Sequence, residues 1–223
     1  MVKTSAVPRR PRRTPGRPVA GAPSQRNALI DAACLCFANS GYAGCSLREI
    51  ARAARVTAAL THYYFASKEG LLAAVVEERI APLVHELGVA VRNDAELPRA
   101  ALRAFVIHYT RIAAANPWLP RLIVREVLSE GGALRDKFLQ KFAGELASVL
   151  RQVVAEGQRR GEFDPSLDTS HLILSLISLC IFPFLAAPLV TRVLCIDIGP
   201  ASADTLARHH LAVLDSGIRG LTP

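Results

Sequence analysis

Apolar side chains recur at helical spacing along most of the chain. Leu47, Ile50, Ala51 and Ala54 follow the spacing i, i+3, i+4, i+7, which places them on one face of a helix. Longer stretches repeat this pattern, whereas alternating runs rich in Val, Ile and Thr are scarce. The pattern predicts an all-α protein with long helices at about 68–92, 98–115, 117–129, 133–160, 168–187 and 202–218.

Three shorter helices are predicted ahead of these. The first begins after Ser24 and is closed by Gly41. The second begins at Ser46, which forms a capping-box pattern with Glu49, and the third begins after Thr57. Because few residues separate the second and third helices, the pair is predicted to form a helix-turn-helix unit. The expected fold is an N-terminal three-helix helix-turn-helix domain followed by a larger helical domain, about nine helices in all.

Charge is distributed unevenly along the chain, whose formal net charge is +8. Residues 1–23 carry six basic side chains and no acidic one, residues 24–70 carry five basic and three acidic, and residues 71–223 carry sixteen of each. A positive excess at one end predicts a polyanionic partner there. These shifts divide the chain into a disordered basic tail (1–23), the helix-turn-helix domain (24–70) and a neutral body (71–223).

The sequence holds no recognisable catalytic or metal-binding motif. The body contains no phosphate-binding loop, no GxSxG elbow and no HExxH pattern. We therefore predict no enzymatic activity, no cofactor and no metal site. The cysteines lack zinc-site spacing and are odd in number, so we interpret them as free, buried thiols in a reducing compartment. They are Cys34, Cys36, Cys45, Cys180 and Cys195.

A long uncharged apolar stretch occupies residues 169–191. It is long enough to cross a bilayer, but Pro183 and Pro188 interrupt it, and Ser175 and Ser178 add polar groups. We predict a helix buried all round against a second subunit of a cytoplasmic protein, with no membrane contact. A membrane-tethered protein is the alternative.

Residues 46–71 read SLREIARAARV, TAALTHYYF and ASKEGL in succession. This stretch resembles the DNA-binding domain of the tetracycline-repressor (TetR) family, in which T-x-x-x-I-A-x-x-A-G-V, S-x-x-x-(L/I)-Y-x-Y-F and x-S-K-E-x-L follow one another. The resemblance implies that residues 24–70 are a tetR-type DNA-binding domain and that residues 71–223 bind an effector and dimerise. The expected function is a sequence-specific DNA-binding transcriptional regulator that acts as a repressor.

The resemblance also assigns roles to nine residues. The third helix would enter the major groove, where small side chains let its backbone approach the base edges. Ala58, Ala59 and His62 would face bases, and Arg48 and Thr57 would reach a base or a phosphate. The other members of the predicted DNA-binding set are Ser46 and the three expected phosphate contacts Tyr63, Tyr64 and Lys68.

Two positions depart from the family pattern. Arg55 stands where the family has Gly in the turn, and a positive φ there would cost on the order of 1 kcal/mol. Thr61 stands where the family buries Leu or Ile, with Leu60 beside it. The rotation of the third helix is therefore open by one residue, and so is the base-facing set. Whether the arginines of the tail enter a minor groove is open as well.

By the same resemblance, the body would form a homodimer and enclose a pocket for a small-molecule effector. Helices 168–187 and 202–218 would pair with their copies, so that two recognition helices read a palindromic double-stranded DNA operator. Effector binding would release that operator. A helical small-molecule-binding protein or enzyme with a vestigial DNA head is the alternative. The candidate pocket residues, whose spacing an ordinary core would also explain, are Phe105, His108, Tyr109, Trp118, Ile123 and Phe142.

Overall fold

The computed structural model describes residues 24–218, whose backbone forms ten α-helices and no β-strand. The all-α class predicted from the apolar spacing is confirmed. The predicted basic tail, residues 1–23, lies outside the described residues, as do residues 219–223.

The three short helices begin at the predicted caps. Ser24, Ser46 and Thr57 each accept a hydrogen bond from the backbone N–H three residues further on. Glu49 returns a bond to the backbone of Ser46 and so completes the capping box. Each such cap stabilises its helix by about 1 kcal/mol. The bounds are Gln25–Gly44 for α1, Leu47–Ala53 for α2 and Ala58–Phe65 for α3.

Seven further helices form the body. Three of them contain one turn of π-helix, at Val76–Ile80, Val124–Leu128 and Leu139–Ala143. Such a turn inserts one residue and shifts the face that follows it. The bounds are 68–93 for α4, Pro98–Ala115 for α5, 118–128 for α6, 135–159 for α7, Thr169–Leu185 for α8, Ala187–Val193 for α9 and Ala203–Ile218 for α10.

The short helix α9 was not predicted as a separate element. The apolar pattern indicated one helix over 168–187, whereas the chain bends by 75° between α8 and α9. Pro188 accounts for the break. It has no N–H to donate the backbone hydrogen bond that would continue α8, and its ring would clash with the backbone carbonyl one turn earlier. Within residues 24–218 no single helix has the length and apolar character of a membrane span, and α8 and α9 reach both only as a bent pair.

The apolar residues pack into two large clusters. The first combines Phe37 of α1, Ile50 of α2 and Leu71 of α4 with Leu122 of α6 and with Leu134. The helix-turn-helix domain therefore shares its core with the body. The second cluster joins α4, α5, α7, α8 and α10 through Val91, Phe105, Leu150, Leu176 and Leu211.

Two cysteines are paired, which corrects the interpretation of all five as free thiols. Cys36 in α1 and Cys45 beyond its last turn form a disulfide bond, with their Cα atoms 6.2 Å apart. Along an unbroken helix nine residues would separate these atoms by about 13 Å. Gly41 breaks α1 at φ 78° and turns the chain back, which brings the two thiols together. The described free cysteines are Cys34 and Cys180, which are buried, and Cys195, which is exposed.

Candidate nucleic-acid interface

A tight turn joins α2 to α3. The Val56 N–H donates to the Ala51 carbonyl oxygen at 2.9 Å and closes the turn. Arg55 adopts φ 58° at the place where the family pattern has Gly, which costs a non-glycine residue on the order of 1 kcal/mol. Within residues 24–218 the exposed Arg55 guanidinium has no hydrogen-bond or ion-pair partner. The turn therefore leaves a cation available beside α3.

The third helix has one buried and one open face. Thr61 and Phe65, one turn apart, are buried, whereas Ala59 and His62 are exposed and Tyr63 is 80% exposed. This settles the rotation that the pattern left open, because Thr61 packs inward at the place where the family pattern has Leu or Ile. The small side chain of Ala59 consequently lies on the accessible face.

Thr61 supplies a stability prediction. Its side chain is fully buried, and its hydroxyl has no hydrogen-bond partner among the described residues. Valine has nearly the same shape without the hydroxyl, so we expect Thr61→Val to raise the free energy of unfolding by about 1 kcal/mol in urea denaturation. The matched control is Thr191→Val at an exposed position of α9, which should shift it by less than about 0.5 kcal/mol. A less stable Thr61→Val protein would contradict the assignment of an unpaired hydroxyl.

The aromatic run at the end of α3 divides between core and surface. Phe65 is buried, and the Arg26 guanidinium of α1 lies 5.1 Å from its ring centroid. Tyr63 and the half-buried Tyr64 meet edge to face, with ring centroids 5.2 Å apart. Each of the two mutually packed tyrosines carries a hydroxyl group, which suits contacts to a phosphate backbone.

The start of α4 lies next to α3. Ser67 caps the helix and accepts a bond from the Gly70 N–H at 3.1 Å. Lys68 is half-buried, and its Nζ lies 4.3 Å from the centroid of the Tyr42 ring. The Tyr42 hydroxyl donates to Glu69 Oε1 at 2.8 Å, and burial together with this bond raises the pKa of Tyr42 to about 12. Tyr42 was not predicted as part of this site, because it belongs to no motif and lies 26 positions before Lys68.

The second helix contributes Ser46 and Arg48. The Ser46 hydroxyl accepts from the Glu49 N–H at 3.2 Å. It also donates to Glu49 Oε2 at 2.7 Å, as the Ser46 N–H does at 2.8 Å, and these two donated bonds lower the pKa of Glu49. Arg48 is exposed. None of the nine residues predicted to contact DNA is buried. They lie on α2, α3, their caps and the first turn of α4, as Ser46, Arg48, Thr57, Ala58, Ala59, His62, Tyr63, Tyr64 and Lys68.

The six predicted pocket residues do not surround one cavity. Phe142 lines a cleft between α4 and α7, and Trp118 lines another between α1 and α4. Phe105 has no exposed surface and belongs to the second apolar cluster. Helical spacing supports a core as readily as a pocket wall, which is why the pattern did not separate the two. The residues that line neither cleft are Phe105, His108, Tyr109 and Ile123.

The cleft between α4 and α7 combines an apolar wall with charged groups. Its volume is about 620 Å³ including the open mouth. Arg92 of α4 and Glu145 of α7 form an ion pair at 2.8 Å, and Lys141 pairs with Glu77. Residues 24–218 include no group of three His, Cys, Asp or Glu side chains placed to hold a metal ion. The apolar wall consists of Ala81, Val84, Phe142, Leu146 and Val149.

The exposed side of α8 is largely apolar, and α10 exposes one large apolar residue. Leu174 and Phe182 of α8 are each 61% exposed, and Val213 of α10 is 50% exposed. The predicted all-round burial of α8 is therefore not met within one subunit. Only the opposite side of α8 is covered, through Ile173, Leu176, Cys180 and Phe184.

A capped helix-turn-helix with small residues on the open face of its second helix, joined to a larger helical body, defines a DNA-binding regulator. Residues 29–75 match the family described as bacterial regulatory proteins, tetR family, and residues 98–215 match the tetracyclin repressor-like C-terminal domain. The chain belongs to the TetR family and is a DNA-binding transcriptional regulator.

Known proteins agree with this assignment. The HTH-type transcriptional repressor NicS of Pseudomonas putida is 28% identical over 199 residues, which cover 88% of this chain and 92% of NicS. The probable HTH-type transcriptional regulator YttP of Bacillus subtilis is 27% identical over 172 residues, or 77% and 82% of the two chains. The ketosteroid transcriptional regulator KstR2 of Mycobacterium tuberculosis has the same fold, with a TM-score of 0.72 at 18% identity over 92% of this chain and all of KstR2.

Proposed function

We propose that this regulator is a repressor that binds a pseudo-palindromic operator as a homodimer and leaves it when a small molecule occupies the cleft between α4 and α7. The observation that carries the proposal is the open face of α3, where Ala59 and His62 are accessible beside Arg48 of α2. Small residues allow close approach of the backbone to the base edges. Arg48 supplies donors for base readout, and His62, whose Nδ1 donates to the Ala66 carbonyl oxygen at 3.2 Å, presents its Nε2.

The phosphate contacts in this proposal flank α3. Tyr63 and Tyr64 carry hydroxyl groups at its end, and Lys68 supplies a cation at the start of α4. Arg55, in the turn before α3, adds a further exposed cation. Contacts of this kind position the protein on the duplex and leave base discrimination to the face of α3.

The proposed dimer forms through α8 and α10. Their exposed apolar residues Leu174, Phe182 and Val213 need a cover of the same character, and a second copy of the same face supplies it under two-fold symmetry. Two-fold pairing also presents two copies of α3 to the two halves of a palindrome.

The coupling of effector and operator is proposed to run through α4. This helix begins at Lys68, next to α3, and ends at Asn93, beyond Arg92 in the cleft, so it spans about 39 Å. A ligand that separates α4 from α7 would shift the far end of the same helix. It releases DNA only if it prefers the shifted state.

The test is selection of bound duplexes from a random pool with purified protein. We expect an inverted repeat whose half-site centres lie about 34 Å or a multiple apart. Arg48→Ala should relax the preference at one base position in each half-site, by about 1–3 kcal/mol, and leave the others unchanged. Selection that yields no common sequence, at salt concentrations where binding persists, would contradict the proposal.

A further inference from the structure

Glu126 is a buried carboxylate that joins the body to the end of α1. It lies in the π turn of α6 and is only 6% exposed. Its Oε1 accepts a hydrogen bond from the Tyr42 N–H at 2.7 Å, and its Oε2 accepts one from the Ala133 N–H at 3.0 Å. A buried carboxylate is costly unless such bonds are made, so both backbone segments are held to it. One of those segments belongs to the DNA-binding domain and the other precedes α7.

The backbone around Glu126 leaves space for this arrangement at two glycines. Gly41 has φ 78°, and a Cβ atom placed on it would lie 3.3 Å from Glu126 Oε1. A Cβ atom on Gly132 would lie 2.4 Å from the Glu126 carbonyl oxygen, which accepts from the Leu134 N–H at 2.9 Å. Glycine therefore stands at both places where another backbone segment comes close to Glu126, at Gly41 before Tyr42 and at Gly132 before Ala133.

Tyr42 carries the connection from Glu126 to the DNA-facing side. Its backbone is held by Glu126, its ring lies under Lys68 Nζ at 4.3 Å, and its hydroxyl donates to Glu69 Oε1 at 2.8 Å. A cation over a tyrosine ring is attracted to it and restricted in position. The side chains of the first two residues of α4 are thus oriented by one tyrosine whose own backbone is fixed by the body.

We propose that Glu126 is a positioning residue for DNA binding, which holds Tyr42 so that Tyr42 holds Lys68 against a DNA phosphate. The inference rests on the proposed phosphate contact of Lys68. It assigns to α6 a direct influence on one DNA contact, separate from the movement of α4. Glu126 also accepts a hydrogen bond from the Ala133 N–H, and Ala133 precedes α7, whose Phe142 lines the cleft. A ligand in the cleft would therefore contact the helix that follows this hydrogen bond.

The test is a double-mutant cycle on operator affinity. Glu126→Gln keeps the shape but replaces one acceptor oxygen by an amide, and we expect it to weaken operator binding about tenfold and to lower the salt slope by about 1. Combined with Lys68→Ala it should add no further loss, because both changes remove the same phosphate contact. When Glu126→Gln is combined with Arg48→Ala, the fold-losses of operator affinity from the two changes should multiply. Glu130→Gln, at an exposed position after α6, is the matched control and should bind normally.

Each of three results would overturn the inference. If Glu126→Gln binds the operator with full affinity, or if its loss multiplies with that of Lys68→Ala, Glu126 does not position Lys68. If Lys68→Ala alone binds normally, the proposed phosphate contact is wrong and the inference fails with it, while the inverted repeat and Arg48→Ala still test the proposed function. Should Glu126→Gln not fold, Tyr42→Leu takes its place in the cycle, because it removes the ring under Lys68, and it must show the same lack of additivity.

Discussion

Replacement of Ala59 by tyrosine is expected to abolish operator preference while leaving the protein folded. Ala59 lies on the open face of α3, so the larger side chain disturbs no core contact, but it stands between the helix backbone and the base edges. Loss of the base contacts leaves only attraction to phosphates, which for DNA-binding proteins is roughly 1,000-fold weaker or more. Fluorescence anisotropy with the selected operator and with a scrambled duplex of equal length measures both affinities.

The control for this variant is Ala155→Tyr, which adds the same side chain at an exposed position of α7. It should bind the operator as the parent protein does. The scrambled duplex should bind equally well to Ala59→Tyr, Ala155→Tyr and the parent. Full operator affinity in Ala59→Tyr would mean that α3 does not enter the major groove with this face, and the proposed contacts of Ala58, Ala59 and His62 would have to be abandoned.

The sequence was informative wherever a local rule decides the structure. The caps at Ser24, Ser46 and Thr57 were predictable because each depends on a side chain and a backbone N–H three residues away. The positive φ of Arg55 was left open, because a non-glycine residue at this place is compatible either with the family's turn or with a different one. The rotation of α3 was not predictable either, because Leu60 and Thr61 are both compatible with helical spacing and only packing against α1 and α2 separates them.

Contacts between distant segments could not be predicted from local sequence patterns. Glu126 and Tyr42 are 84 positions apart, and nothing in either local pattern indicates that a carboxylate of the body would accept a bond from the backbone of α1. The disulfide was missed for a related reason, because the break at Gly41 sets the separation of Cys36 and Cys45. The predicted pocket residues do not line a common cleft, because helical spacing alone does not distinguish a core face from a cavity wall.

Two connections join the predicted DNA-binding domain to the body. α4 crosses the boundary between them as a continuous helix, tied to α1 by Arg79, which donates to Asp31 at 2.8 Å. Glu126 crosses it as a side chain. A rigid helix carries a displacement from one of its ends to the other, whereas the hydrogen bond of a carboxylate is either formed or broken. The two therefore predict different effects: movement of α4 alters the spacing of the two heads, and loss of the Glu126 contact alters one phosphate contact within each head.

A glutamate at Phe182 is expected to produce a monomer that no longer holds the operator. Phe182 is 61% exposed on the open side of α8, so the change leaves the subunit core intact. In the proposed dimer it would place an unpaired charge in an apolar interface, at a cost of about 3–5 kcal/mol, which raises the dimer dissociation constant by roughly 1,000-fold. Sedimentation velocity across a concentration series measures the loss of dimer.

Operator affinity should fall when the dimer is lost, because a single DNA-binding domain gains nothing from the second half-site. At concentrations where the Phe182→Glu protein is monomeric, its affinity for the full inverted repeat should equal its affinity for one half-site. Leu139→Glu is the matched control, since Leu139 is 55% exposed on α7 and does not belong to the proposed interface helices α8 and α10, and the variant should remain dimeric. If Phe182→Glu stays dimeric and keeps the difference between full site and half-site, then the spacing of the two recognition helices is set by another surface, because a charge on the proposed face would otherwise have separated the subunits.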